Sequence, residues 1–236
     1  AAMYEKKLAF ALDSPLSRRE IVARAEQAYE SVRNEMYEIA RSVYAEQHPY
    51  TTFPDQPDEA YKQAIIRAAL EQAYERLLPP DGIVDAATEA LDYATGFVLE
   101  HDIVTLPEEP LEIIVMPEFQ RGVSVAYLDP PGPLDRETKA FYAVAPLPAD
   151  WTQDQVRSFL REYNWYSLHN LTMHEAVPGH YLQIAFSNRH PSVLRSLLWS
   201  GPFVEGWAVY AERVMIDAGY LDSDPLMRLV NLKLYL

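Results

Sequence analysis

The 236-residue sequence contains no cysteine. That absence excludes a disulfide framework, a thiolate zinc site and a cysteine nucleophile. Basic residues are in the minority, 20 Lys and Arg against 35 Asp and Glu, for a formal charge of −15 at pH 7. So large an excess of negative charge argues against nucleic-acid or anionic-membrane partners and favours solubility. No apolar run is long enough for a membrane span. The start, Ala1-Ala2-Met3-Tyr4-Glu5, lacks a basic segment with an apolar core behind it. The expectation is a soluble protein, either cytoplasmic or exported after removal of a signal that this chain does not carry. A serine-nucleophile elbow, G-x-S-x-G, is missing too, because the Gly122-Val123-Ser124 run lacks its second glycine. Internal repeats and low-complexity tracts are absent.

What remains is a sequence that is 49% apolar and 23% charged, enough to bury one sizeable core. It reads as one unit in three segments: a helical scaffold over 1–106, a small β-sheet over 107–150, and helices over 151–236. Ser17-Arg18-Arg19-Glu20 has the form of a capping box. Ile21, Ala25, Ala28, Val32, Met36, Ile39 and Val43 then follow at helical spacing, predicting a long amphipathic helix to Gln47 that His48-Pro49 ends. A second helix carries Ile66, Ala69, Leu70, Ala73 and Leu77 towards Pro79-Pro80, and a third, capped by Asp81, carries Ile83, Ala87, Ala90, Leu91, Ala94 and Val98. Leu111 to Val115, Val123 to Leu128 and Ala140 to Ala145 are short β-branched or aromatic runs separated by Pro and Gly. They predict a small, largely antiparallel sheet, so the fold class is mainly α with a minor β-sheet (α+β). Thr152-Gln153-Asp154-Gln155 is a second capping box, a helix follows over about 165–188, and Gly201-Pro202 opens another that Gly219 ends. Pro225 lies near the start of the last helix.

The chemistry is concentrated in Met173-His174-Glu175-Ala176-Val177-Pro178-Gly179-His180. Imidazole is the commonest protein ligand for zinc, and a carboxylate beside a ligating histidine is placed to take a proton from activated water. In the short H-E-x-x-H signature the histidines share a helix face at i and i+4. Here they are i and i+6, about 240° apart on a regular helix. Pro178 and Gly179 are both helix breakers, so a local bulge there is expected to swing His180 back to the side of His174. About two dozen residues later, Glu205 and Glu212 recur at i and i+7, on one face of a separate helix.

His174 to Gln183, HEAVPGHYLQ, together with Glu205 to Glu212, EGWAVYAE, resembles the paired signature of a bacterial family catalogued as domain of unknown function 885. That family is regarded as zinc metallopeptidases of the gluzincin type. Both motifs match without gaps, and the layout of helices and strand-like segments fits over most of the chain. Family members are considerably longer, so the resemblance implies that a C-terminal part closing the cleft lies beyond Leu236. In gluzincin-like enzymes an edge strand beside the metal holds the peptide extended, and backbone pairing of that kind accepts any sequence. Which strand would do so here the sequence leaves open.

Two histidines leave a catalytic zinc one protein ligand short, and a glutamate from another helix completes a His2Glu set with one position open for water. We assign one zinc ion to His174, His180 and Glu205, with Glu175 as general base. Glu212 then orients a histidine or pairs with a cation such as Arg213; exchange of the two glutamate roles is the alternative. Tyr142, Tyr181, Tyr210 and Gln183 are candidates for substrate or oxyanion contacts. His169, His48, His101 and His190 are read as structural, and Trp199 and Trp207 as core or cleft wall. The leading expectation is a zinc metallopeptidase acting on a peptide substrate. A metal-binding but inactive module and a purely structural helical domain are the alternatives, and no oligomeric state is specified.

Overall fold

Ser17 opens the longest helix, α2 (Arg18–Gln47), in the computed structural model, which describes residues 2–122, 124–135 and 138–236. Its hydroxyl accepts from the Glu20 backbone N–H at 3.3 Å while the Glu20 carboxylate takes the Ser17 backbone N–H at 2.8 Å. Ser17→Ala is expected to lower stability by about 1 kcal/mol in urea unfolding, because the Glu20 N–H of the first turn loses its acceptor. Only the second half of the predicted apolar stripe reaches the core: Val32, Met36 and Val43 are buried, joined by Tyr37 and Ala40, while Ala25 is exposed. A short helix, α1 (Ala2–Leu12), precedes it and was not expected. With Met3 and Phe10 exposed, it carries no apolar stripe to announce it.

In α3 (Glu59–Tyr74), Asp58 caps the first turn by accepting from the Tyr61 N–H at 2.7 Å. Ile66, Ala69, Leu70 and Ala73 are buried as predicted, but the helix stops short of Leu77. The Arg76 carbonyl accepts instead from the Trp165 N–H at 3.0 Å, so the expected last turn becomes a tie between layers and Leu77 stays exposed. The next helix, α4 (Ile83–Glu100), starts from Gly82 with no side-chain cap, which corrects the role given to Asp81. The Gly82 N–H bonds back to the Pro79 carbonyl at 3.0 Å, and this turn places Gly82 itself at the cap position.

β1 (Leu111–Val115), β2 (Ala126–Asp129) and β3 (Ala140–Val144) form one sheet in the order β1-β3-β2. β2 pairs antiparallel with β3, Leu128 opposite Tyr142, whereas β1 pairs parallel with it, Leu111 opposite Ala140. The sheet is therefore mixed, not largely antiparallel. Parallel neighbours need a connection of a dozen or more residues, and the stretch from Met116 to Lys139 supplies it. Of the expected strand from Val123, residue 123 lies outside the described residues and regular pairing starts at Ala126.

The remaining helices are α5 (Gln153–Glu162), opened by the Thr152 capping box, α6 (Trp165–Glu175), α7 (His180–Asn188), α8 (Val193–Leu197), α9 (Gly201–Asp217) and α10 (Pro225–Tyr235). The expected helix over about 165–188 is thus two helices. The larger core lies among α2, α3, α4, α6, α9 and α10, with Met36, Ile66, Phe97, Met173, Met215 and Leu229 at its centre. A smaller one lies under the sheet, where Tyr142 and Val144 meet Ile83, Ala87, Leu168 and Ala176. The mainly helical α+β architecture read from the sequence is the one observed, and no helix among the described residues is long and apolar enough to cross a membrane.

Candidate metal centre

α6 is set by Asn164, whose amide oxygen accepts from the N–H groups of Tyr166 and Ser167 at 3.0 and 3.2 Å. From there the helix runs through the fully buried Met173 and stops at Glu175, where the Ala176 N–H makes the last helical bond to Thr172. Ala176 to Gly179 break the helix, with a cis peptide between Val177 and Pro178, and α7 starts at His180. The expected bulge is therefore corrected: the breakers bring His180 back to the side of His174 by ending one helix and starting another, not by bulging a continuous one. Two contacts hold the break. The Trp207 indole N–H on α9 donates to the Pro178 carbonyl at 3.0 Å. Gly179 presses so closely on the end of α6 that an added Cβ would lie 1.8 Å from the His174 carbonyl oxygen.

The consequence is that the two imidazoles meet. Their ring centroids are 4.6 Å apart and nearly perpendicular, at 87°. The Glu205 carboxylate oxygen lies 3.4 Å from His174 Nε2 and 3.7 Å from His180 Nε2. Both separations exceed an ordinary N–H···O bond. They match instead the edge of a tetrahedron around zinc, about 3.3 Å for bonds of about 2.0 to 2.1 Å. The ligand atoms of His174, His180 and Glu205 all lie within 4.8 Å of one another. The donor set, two imidazoles and a carboxylate, fits zinc, and the Glu205 side chain, 66% exposed, leaves one side of the site to solvent.

Glu212, two turns further along α9, does a different job. Its Oε1 accepts the His174 Nδ1–H at 2.6 Å, which fixes that proton on Nδ1 and leaves Nε2 as a lone pair facing Glu205 and His180. Its other oxygen accepts from Asn231 Nδ2 on α10 at 2.8 Å, and Asn231 also donates to Asn170 Oδ1 on α6 at 2.8 Å. Burial by itself lowers the affinity of His174 for its proton, but the hydrogen bond and charge of Glu212, with the charges of Glu175 and Glu205, outweigh it and the net shift is upward. His180 moves the other way, pushed down by burial and by His174. Arg213 is not Glu212's partner: it reaches Asp217 at 3.3 Å and Glu35 at 3.9 Å.

Glu175 points from the end of α6 to the sheet, where its Oε2 accepts the Leu128 N–H on edge strand β2 at 3.1 Å. Burial pushes its carboxyl up to about 7, against the opposing pull of His174 and of the Leu128 N–H. A carboxylate with that proton affinity can both take up and release a proton near neutral pH.

The four further candidates are dispersed. Tyr142 is wholly buried in β3, its hydroxyl 3.3 Å from Thr172 Oγ1, and burial raises its pKa. Tyr181 donates its hydroxyl to the Glu109 carbonyl. Tyr210 is exposed on α9 beside Trp207, and Gln183 turns its amide oxygen inward. Trp199 is exposed. His169 is a core residue, its Nδ1 2.8 Å from the Tyr220 hydroxyl and its pKa pushed down to about 4 by burial. Asn231, Asn170 and the Leu128 N–H were not singled out from the sequence. The one available signal was Asn231 itself, a polar residue one turn after Met227 among the apolar Leu229, Val230 and Leu232.

No curated protein matches the chain. Among solved structures it is similar to a candidate lipoprotein of unknown function from Shewanella oneidensis, with 33% identity and a TM-score of 0.84 over 100% of this chain and 41% of that one. It also shares its fold with a candidate lipoprotein from Colwellia psychrerythraea, at 22% identity and a TM-score of 0.70, over 99% of this chain and 37% of that one. The chain therefore spans about two fifths of the length of these structures. Across residues 1–236 it matches the model of one family, and so it belongs to that family, described as bacterial protein of unknown function (DUF885).

Proposed function

We propose that the protein is a zinc-dependent hydrolase whose substrate is a peptide bond. The observation that carries this reading is the convergence of His174 Nε2 and His180 Nε2 on the Glu205 carboxylate at 3.4 and 3.7 Å, with the Glu175 carboxylate at the end of the same helix as His174. His174, His180 and Glu205 would hold the ion, and Glu212 keeps His174 in the tautomer that presents Nε2. Zinc, when bound there, lowers the pKa of water to about 7 and polarises a carbonyl. Glu175 takes the proton from the attacking water and hands it to the leaving amine. The Leu128 N–H occupies one of its oxygens, which leaves the other for that proton. The lipoprotein descriptions of the two structural relatives favour the exported of the two compartments that the sequence allows.

A second reading, zinc binding without turnover in this stretch of chain, is favoured by one observation. The hydroxyls of Tyr142 and Tyr181 are engaged away from the site, so of the three tyrosines nominated as oxyanion donors only Tyr210 is open. Metal analysis and a fluorogenic peptide library decide between the readings. The hydrolase reading expects one equivalent of zinc, cleavage abolished by chelator, and cleavage lowered at least ~100-fold by Glu175→Gln with zinc retained. Zinc without cleavage supports the binding module, and a wild-type protein that takes up no zinc removes both.

A further inference from the structure

Two buried polar atoms near the ligand helix have no hydrogen-bond partner: His180 Nδ1 and Gln183 Oε1. They are of complementary kind. A histidine that turns the Nε2 lone pair to an ion carries its proton on Nδ1, and a ligating histidine almost always gives that N–H to an acceptor. For His174 the acceptor is Glu212. For His180, only 8% exposed, none is engaged, although solvent cannot serve a group so enclosed. Gln183 is three residues further along α7, and side chains three apart on a helix have their Cβ atoms about 5 to 6 Å from each other. Helical side chains also lean towards the N-terminus, so Gln183 covers the turn in which His180 sits. Its backbone N–H is already committed to the Gly179 carbonyl at 3.1 Å, leaving the side-chain amide as the free group on that turn.

From these two unmet atoms we infer that Gln183 is the positioning residue of His180, its amide oxygen accepting the Nδ1–H when Nε2 is directed at the metal. The inference rests on the zinc reading above and deepens it, because each ligating histidine then has its own anchor. The two anchors differ in charge. Glu212 adds a negative charge behind His174, whereas Gln183 orients His180 without adding one, in a site that already gathers Glu175, Glu205 and Glu212. A carboxylate at 183 would anchor the ring at least as well and make it more basic.

The test is zinc affinity by competition with a fluorescent chelator, for the wild type, Gln183→Leu and Gln183→Glu, with thermal unfolding of each in excess EDTA. Gln183→Leu is expected to weaken zinc binding about 10-fold to 100-fold. Gln183→Glu is expected to bind at least as tightly as the wild type, and metal-free melting temperatures to stay together. A residue that merely packed would follow neither pattern. In the zinc-loaded wild type, the NMR spectrum with histidines labelled with nitrogen-15 is expected to show two Nδ1–H protons protected from exchange, one lost in Glu212→Leu, which leaves it no acceptor, and the other shifted in Gln183→Glu. The proton measurement on the folded wild type and Gln183→Glu stands even if Gln183→Leu does not fold. Zinc affinity within twofold of wild type in a folded Gln183→Leu, or a His180 Nδ1–H indifferent to residue 183, overturns the inference while leaving the zinc site intact. A wild type that binds no zinc overturns both, and the first titration alone reveals it.

Discussion

Gly179→Ala is expected to destabilise the protein by about 3 kcal/mol or more and to weaken zinc binding, because the methyl group has nowhere to go. An added Cβ would lie 1.8 Å from the His174 carbonyl oxygen, 2.4 Å from that of Met173 and 2.5 Å from the His174 carbonyl carbon. These are backbone atoms at the end of α6, where no side-chain rotation relieves the overlap. Either the last turn of α6 unwinds, moving His174 and Glu175, or α7 moves off with His180. Gly206 is the control. It sits inside α9 beside Glu205 with nothing within 4 Å of the added Cβ, so Gly206→Ala should be neutral or stabilising by about 0.5 to 1 kcal/mol. Urea unfolding in chelator and zinc titration of both variants check this. Equal behaviour of the two would contradict the close seating of the 176–179 break on α6.

Removing the proposed general base should make the metal-free protein more stable. Burial raises the Glu175 carboxyl to about 7 in the folded chain, against a reference of 4.5. Between these values the folded state holds a proton that the unfolded state has released, so stability falls as pH rises through the window, and the full loss is present above it. The difference corresponds to about 3 kcal/mol. Glu175→Gln keeps the shape and an oxygen for the Leu128 N–H while removing the charge. It should therefore gain about 3 kcal/mol at pH 8 in the presence of chelator, and almost nothing near pH 4.5. A variant no more stable than the wild type at both pH values would mean that solvent reaches this carboxylate freely. Cleavage and metal-free stability are thus expected to move in opposite directions at this one residue, as they do where a site is built at the expense of stability.

Signals that depend on a few neighbouring residues were legible in the sequence. Both capping boxes form, β1 spans the predicted Leu111 to Val115, and Gly219 stands at the end of α9 as expected, where it takes the left-handed conformation. His174 and His180 meet because of the breakers between them, and Glu205 and Glu212 share a face because of their i, i+7 spacing; that this face turns to the histidines needs α9 to pack beside α6 and α7. What the sequence hid depends on distant partners. α3 loses its last turn because Trp165, far along the chain, claims the Arg76 carbonyl. β1 runs parallel to β3, a direction that no feature of Leu111 to Val115 encodes. Asn231 reaches the site only because α10 packs beside α6 and α9, and the hold of Leu128 on Glu175 needs the edge of the sheet to lie against α6. The tyrosines illustrate the converse: nearness in sequence to a motif says nothing about where a side chain points, and Tyr142 points into the core.

The break between α6 and α7 gives the candidate centre a dependence that a signature on one uninterrupted helix does not have. With one ligand on each of α6, α7 and α9, no single segment holds the set. A synthetic peptide spanning 165–188 would carry both imidazoles yet lack the indole that pins Pro178 and the carboxylate that completes the trio. Ion capture would then act as a fastener of tertiary structure, tightening three rods at once, and its grip would report on whether the bundle is assembled.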